Sequence, residues 1–159
     1  NESSENILLQ LSANSINVNV AGTTFSSKLI EGKFPDYEQV IPTGESSTLS
    51  INKKSLSESL SRVSVLSSEK FRGVRLVTSE NLINISANNP EKEQAEESVE
   101  CSYNGENIDI AFNVNYIQEI LSSAEGELIE MHFFGSDKSC LITNPGSESF
   151  KYVVMPLLI

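Results

Sequence analysis

From residue 7 to residue 30, apolar and polar positions alternate in three short runs, ILLQLSA, INVNVAG and TTFSSKLI, broken by small residues. A two-residue period of this kind predicts antiparallel strands with one buried face. The stretch EGKFPDYEQVIPTGESS interrupts the alternation with proline and glycine, reads as a linker, and sets a boundary near residue 43. TLSI then predicts a short strand, Asn52 an N-cap and KKSLSESLSRVSVLSS a helix. In that helix Leu56, Leu60 and Val63 recur at i, i+4 and i+7 and Leu66 prolongs the stripe, while Lys54, Ser57, Glu58 and Ser61 occupy other faces. FRGVRLVTS, NLINISANN and QAEESVECSY follow as strand patterns, the first two joined by a hairpin signal at SENL.

The order then recurs. NIDIAFNV predicts a strand, NYIQEILSSA a helix with Ile117, Ile120, Leu121 and Ala124 inward, and ELIEMHFFG, SCLITNP and FKYVVMP three more strands. A strand, a helix and three strands thus occur twice at a spacing of about 60 residues, and the opening runs match the last three strands of the same unit. A helix with one apolar stripe is buried against a sheet face, so the predicted fold class is α+β, in two layers. Two copies side by side are expected to place both helices on one face of continuous antiparallel sheet. Pro156 has no N–H for a ladder and should end the last strand, leaving Leu157, Leu158 and Ile159 beyond the sheet and available to a partner.

The 159 residues suffice for one domain and part of another, and 38% hydrophobic residues fit a globular chain. No run approaches the roughly 18 apolar residues of a membrane span, and no charged-then-apolar leader opens the chain, so no membrane association and a cytoplasmic location are expected. The first residue is not Met, which suggests a fragment. A net charge of -11 argues against nucleic-acid binding by bulk electrostatics, though not against basic groups gathered on one face. Cys101 and Cys140 stand far apart in strand patterns, without metal-ligand or disulfide-framework spacing, and are expected to be reduced, buried thiols. Cys101 and His132 lack an orienting group for nucleophilic catalysis. A phosphate loop, a His-x-x-His pair and convergent carboxylates are all missing from the sequence, so no enzyme, cofactor or metal is predicted.

Five separated motifs, SSKLIEGKFPDYEQVIP, EKFRGVRL, ISANNPEKEQAEE, FNVNYI and YVVMPLLI, carry a resemblance in order and spacing. Together they resemble the C-terminal portion of the bacterial DNA polymerase III β subunit family, the sliding clamps. The resemblance implies a DNA-clamp fold in which three doubled α+β domains form each chain. Two such chains close head to tail as a homodimeric ring around duplex DNA, without sequence specificity. Residues 1–43 would be the C-terminal part of the middle domain plus linker, and 44–159 the third domain; without the first domain these residues cannot close a ring.

The resemblance further implies a hydrophobic groove that takes short linear peptides of DNA polymerase subunits, the clamp loader and repair proteins. Its residues here would be Pro35, Gln39, Val40, Phe71, Asn113, Tyr116, Ser139, Val153, Met155, Pro156, Leu157 and Leu158. A flexible Met among aliphatic rims suits varied apolar ligands. The chain departs from a common family form at Leu158, where a basic residue is usual, and at Glu38 and Gln39, where Arg is frequent.

A subunit interface is implied for Val65, Leu66, Glu91, Glu93, Glu96 and Glu97, facing a basic edge of the neighbour, although a solvated edge strand protected by charge accounts equally for the acidic run. Lys53, Lys54 and Arg62 would face DNA, a sparse set suited to a ring that slides. Composition and periodicity by themselves leave open a generic α+β peptide-binding interaction domain unrelated to DNA.

Overall fold

The computed structural model describes residues 7–32, 36–67, 72–147 and 150–158. The chain divides into two compact units, Asn1–Asp36 and Tyr37–Ile159.

The smaller unit is a meander of β1 (Leu8–Leu11), β2 (Ser15–Val20) and β3 (Thr23–Lys28), antiparallel in that order. Ala21 and Gly22, with φ of 48° and 79°, make the tight turn between β2 and β3. The register lines up Leu9, Val18 and Phe25 in one row and Leu11 with Ile16 in the next, so one face is apolar. Leu9, Leu11 and Phe25 on that face are exposed within this unit.

The larger unit starts with a 3-10 turn at Tyr37–Gln39 and contains β4 (Ser47–Asn52), α1 (Lys53–Ser64), β5 (Gly73–Ser79), β6 (Leu82–Asn88) and β7 (Gln94–Glu100). The second copy of the pattern is β8 (Asp109–Asn113), α2 (Val114–Ser123), β9 (Leu128–Phe133), β10 (Cys140–Thr143) and β11 (Lys151–Val154). Both helices begin on an asparagine cap: Asn52 Oδ1 accepts from Ser55 N–H (3.0 Å) and Asn113 Oδ1 from Asn115 N–H (2.9 Å). The first helix is shorter than its apolar stripe suggests, because Val65 and Leu66 already lie in the turn beyond it. Asn81, at φ 54°, turns the β5–β6 hairpin at the expected place.

The strands do not form one continuous sheet. They form two four-stranded antiparallel sheets, in the orders β11-β10-β9-β4 and β7-β6-β5-β8. Each sheet takes three strands from one copy and its fourth from the other: β4 pairs with β9, and β8 with β5. Equivalent main-chain bonds fasten the exchange, Lys53 N–H to Glu127 O and Val114 N–H to Arg72 O, both 2.8 Å. Single bridges then join the sheets, Ser50 with Ser102 and Ala111 with Leu157.

Leu56, Leu60 and Val63 of α1 and Ile117, Ile120 and Leu121 of α2 fill one core with the buried sides of both sheets. The two helices also touch along a polar seam: Gln118 Nε2 donates to Ser57 O (2.8 Å) and Ser61 Oγ (3.1 Å), and Ser57 Oγ donates to Gln118 Oε1 (2.8 Å). Buried Thr78 is hydrogen-bonded to Ile108 twice, its Oγ1 accepting from Ile108 N–H (2.8 Å) while its own N–H donates to Ile108 O (2.9 Å).

Candidate functional site

Where β11 ends at Val154, the last residues run along the surface beside α2. Tyr116, Glu119, Ile120 and Ser123 from α2, with Tyr152, Val153, Val154 and Met155 from the end of the chain, line a hollow of about 420 Å3. The α2 members recur every three or four residues, so they share one helix face. Tyr116 is 58% exposed and Met155 67%, while Ile120 and Val154 are buried and form the rigid floor. Ser139 Oγ donates to Met155 Sδ at 2.8 Å, which orients an otherwise freely rotating thioether. An apolar hollow with a hydroxyl and a carboxylate at its rim suits an apolar side chain whose backbone remains near water.

Beyond Met155 the chain reaches the edge of β8. Leu157 is not free beyond the sheet, because its N–H donates to Ala111 O (2.8 Å) and its side chain is partly covered; Leu158 is 95% exposed. Pro156, Leu157 and Leu158 border a second hollow of about 400 Å3 with Arg75, Asp109 and Ala111, and the two leucines border a third of about 540 Å3 with Gly73, Val74 and Ser86. Arg75 and Asp109 form a bidentate pair in which Arg75 Nε donates to Asp109 Oδ1 at 2.7 Å, and this pairing lowers the Asp109 carboxyl from its ordinary value.

Of the residues expected in the groove, Tyr116, Val153 and Met155 converge on the first hollow, with Ser139 bonded to Met155. Pro156, Leu157 and Leu158 fall instead at the β8 edge, and Asn113 caps α2 one turn before Tyr116. Gln39 and Val40 lie exposed in and just after the 3-10 turn and line none of these hollows. Pro35 and Phe71 lie outside the described residues. Glu119, Ser123 and Tyr152 were not singled out in the sequence, although the first two follow Tyr116 at helical spacing.

The acidic segment is divided by the strand period. Glu91 and Glu93 lie ahead of β7, with Glu93 Oε2 accepting from Asn89 Nδ2 (2.7 Å); Glu96 and Glu97 are successive strand residues and point to opposite faces. Glu97 turns toward α1, where Arg62 Nε (2.6 Å) and one terminal nitrogen (2.7 Å) grip both its oxygens. Val65, 78% exposed, and half-buried Leu66 follow α1 in sequence. The three cations expected to face DNA all have partners inside the chain: Arg62 holds Glu97, Lys54 lies 3.8 Å from Glu58, and Lys53 Nζ donates to Ala124 O (2.6 Å) at the end of α2, where the helix dipole favours positive charge.

The Arg62 guanidinium, aided by Ser59, pulls the Glu97 carboxyl down to about 2. A depressed folded-state value means that the unfolded chain binds the extra proton first, so this pair stabilises the fold above the ordinary carboxylate range and loses its contribution as pH falls toward about 2. Glu97→Gln is expected to flatten the acid limb of a plot of urea midpoint against pH between about 5 and about 2. An unchanged limb would assign acid sensitivity to other groups.

Cys140 is buried and Cys101 half-buried; both are free, and burial pushes both thiols up, most strongly Cys140. His132 is half-buried between Thr48 Oγ1 (3.0 Å from Nδ1) and Thr143 Oγ1 (2.9 Å from Nε2). Among the described residues no group of three or more His, Cys, Asp or Glu could hold a metal ion, and no helix is long and apolar enough to cross a membrane.

The family described as DNA polymerase III beta subunit, C-terminal domain, matches residues 38–158. The beta sliding clamp of Pseudomonas aeruginosa is 44% identical over 134 residues, covering 84% of this chain and 36% of that protein. The beta sliding clamp of Escherichia coli is 41% identical over 149 residues, covering 94% of this chain and 41% of that protein. The crystal structure of the DNA polymerase III subunit beta from Pseudomonas aeruginosa superposes with a TM-score of 0.86 at 40% identity, over 96% of this chain and 42% of that one. The chain therefore spans about two-fifths of the length of these relatives. With the doubled strand-helix-strand architecture and its C-terminal hollow in place, the chain belongs to the DNA polymerase III beta subunit family, the beta sliding clamps.

Proposed function

We propose that this chain is part of a cytoplasmic replication processivity factor that works without catalysis, encircling duplex DNA as a head-to-tail dimer and tethering polymerase and other factors by their peptides. Residues 1–43 belong in this reading to the end of the middle domain and its linker, and 44–159 to the third domain. The observation that carries it is the hollow where Tyr116, Val153 and Met155 meet over a buried floor, with Met155 oriented by Ser139. A rigid floor beneath adaptable rim side chains suits partners that share an apolar motif and differ elsewhere.

The test is direct binding of the peptide Gln-Leu-Ser-Leu-Phe to this chain. Met155→Ala is expected to weaken it at least about tenfold, the size of a lost binding hot spot. Equal affinity in both proteins would remove Met155 from the site.

The acidic flank supports a subunit contact in the same ring. β7 is an edge strand, Glu96 is exposed upon it, and exposed Val65 provides an apolar anchor on the segment after α1. A basic strand of a neighbouring chain is the complementary partner. For DNA, cations already engaged within the chain favour weak, sequence-independent contact over tight phosphate binding.

A further inference from the structure

The sequence contains a single Asn-Gly pair, Asn104 and Gly105. It lies in the connection from β7 to β8, the segment that links the two copies of the repeat. Both ends of this connection are fixed. Ser102 exchanges main-chain bonds with Ser50 of β4. Tyr103 is buried; its hydroxyl donates to Glu106 O, its N–H donates to Asn81 Oδ1 (3.3 Å) and its carbonyl accepts from Asn81 N–H (3.0 Å). At the other end Ile108 N–H donates to Thr78 Oγ1 (2.8 Å). Between these points residues 104–107 are exposed.

Packing holds position 105 to glycine. A β-carbon there would stand 2.6 Å from Ser47 Cβ and Oγ and 2.8 Å from the Tyr103 hydroxyl oxygen. The fold thus keeps the least hindered residue directly after an exposed asparagine, and among the described residues no acceptor holds the Gly105 N–H. At several other asparagines the following amide is engaged or missing. Ser15 N–H, after Asn14, donates to Ser12 Oγ (3.1 Å), Lys53 N–H, after Asn52, to Glu127 O (2.8 Å), and Val114 N–H, after Asn113, to Arg72 O (2.8 Å). Asn89 and Asn144 precede proline, which has no N–H.

We propose that Asn104 is a self-modification site, converted in the folded chain through a succinimide to aspartate and isoaspartate. The Gly105 amide nitrogen gives its proton to solvent base and attacks Asn104 Cγ. An N–C bond forms, the Cγ–Nδ2 bond breaks, and the side-chain nitrogen takes up a proton from solvent and leaves as ammonia. Water then opens the ring: addition at the Cγ carbonyl gives aspartate, and addition at the main-chain carbonyl gives isoaspartate. No electron is gained or lost. Either product adds a negative charge to a chain whose net charge is already -11. Isoaspartate also lengthens the main chain by a methylene between Tyr103 and Glu106, across the span that the tyrosine hydroxyl closes. The change falls on the joint between the two copies.

Peptide mapping by mass spectrometry tests it, on the full chain aged in mildly alkaline buffer made with heavy-oxygen water. Asn104 is expected to convert at least about tenfold faster than any other asparagine, because glycine presents no side chain to the attack. It should incorporate solvent oxygen and yield isoaspartate, detected with an isoaspartate-specific methyltransferase. The rate should rise with pH, since the attacking amide must lose its proton. Asn104→Gln is expected to lose the reaction, because the longer side chain closes a larger ring. An intact Asn104 in the aged folded chain overturns the proposal, as does conversion that appears only in urea. Aspartate formed without isoaspartate, the product of direct hydrolysis, also overturns it.

Discussion

Phe112→Ala is expected to destabilise the larger unit by about 3–5 kcal/mol, the range for emptying an aromatic site in a packed core. Phe112 is fully buried, and it stands on β8, the strand lent by the second copy to the sheet of the first, opposite Val74 of β5. Its ring therefore fills the core at a place where both copies meet. A cavity there has little freedom to collapse, because β8 is held on one side by β5 and continues directly into capped α2. Urea denaturation checks it: the midpoint should fall with the slope unchanged. A loss below about 1 kcal/mol would mean that the site collapses around the smaller side chain.

Truncation after Val154 is expected to reduce binding of Gln-Leu-Ser-Leu-Phe by more than about 100-fold while leaving the fold intact. The cut preserves β11 and its ladder to β10, so the sheet keeps all four strands. It removes Met155 from the rim of the hollow, together with the tail bridged to β8, at little cost in buried core. Titration calorimetry with a thermal melt separates the effects. A melting temperature within a few degrees of the parent with binding lost is the expected pair of results; binding retained within about twofold would place the peptide elsewhere.

The elements were legible from the chain because each apolar stripe matches its period. Leu56, Leu60 and Val63, and Ile117, Ile120 and Leu121, are buried, and the strand runs after both helices lie where their alternation places them. The exchange of β4 and β8 was not legible. Alternation states which side of a strand is buried but not which strand lies beside it, and Ile51 and Ile110 would be covered equally well in a sheet of their own copy.

The candidate site was partly legible for a similar reason. Tyr116, Val153 and Met155 come together because a helix face and the end of a neighbouring strand are both fixed by local pattern. The seat of Leu157 was missed, since proline ends a ladder without determining whether the next residue finds another edge. Arg62 shows how long side chains escape sequence reading. Its position on α1 follows from the helix period, but its pairing with Glu97 depends on β7 passing beneath that helix.

The borrowed strands bear on how such a domain could arise. A lone unit of one strand, one helix and three strands would lack the fourth strand that completes its sheet. Two identical units docked about a twofold axis would each supply what the other lacks. The covalent link from β7 to β8 joins such a pair into one chain, and after joining, the two halves were free to diverge, as the crossing at Ser102, followed by buried Tyr103, and the crossing at Leu157, followed by exposed Leu158, show.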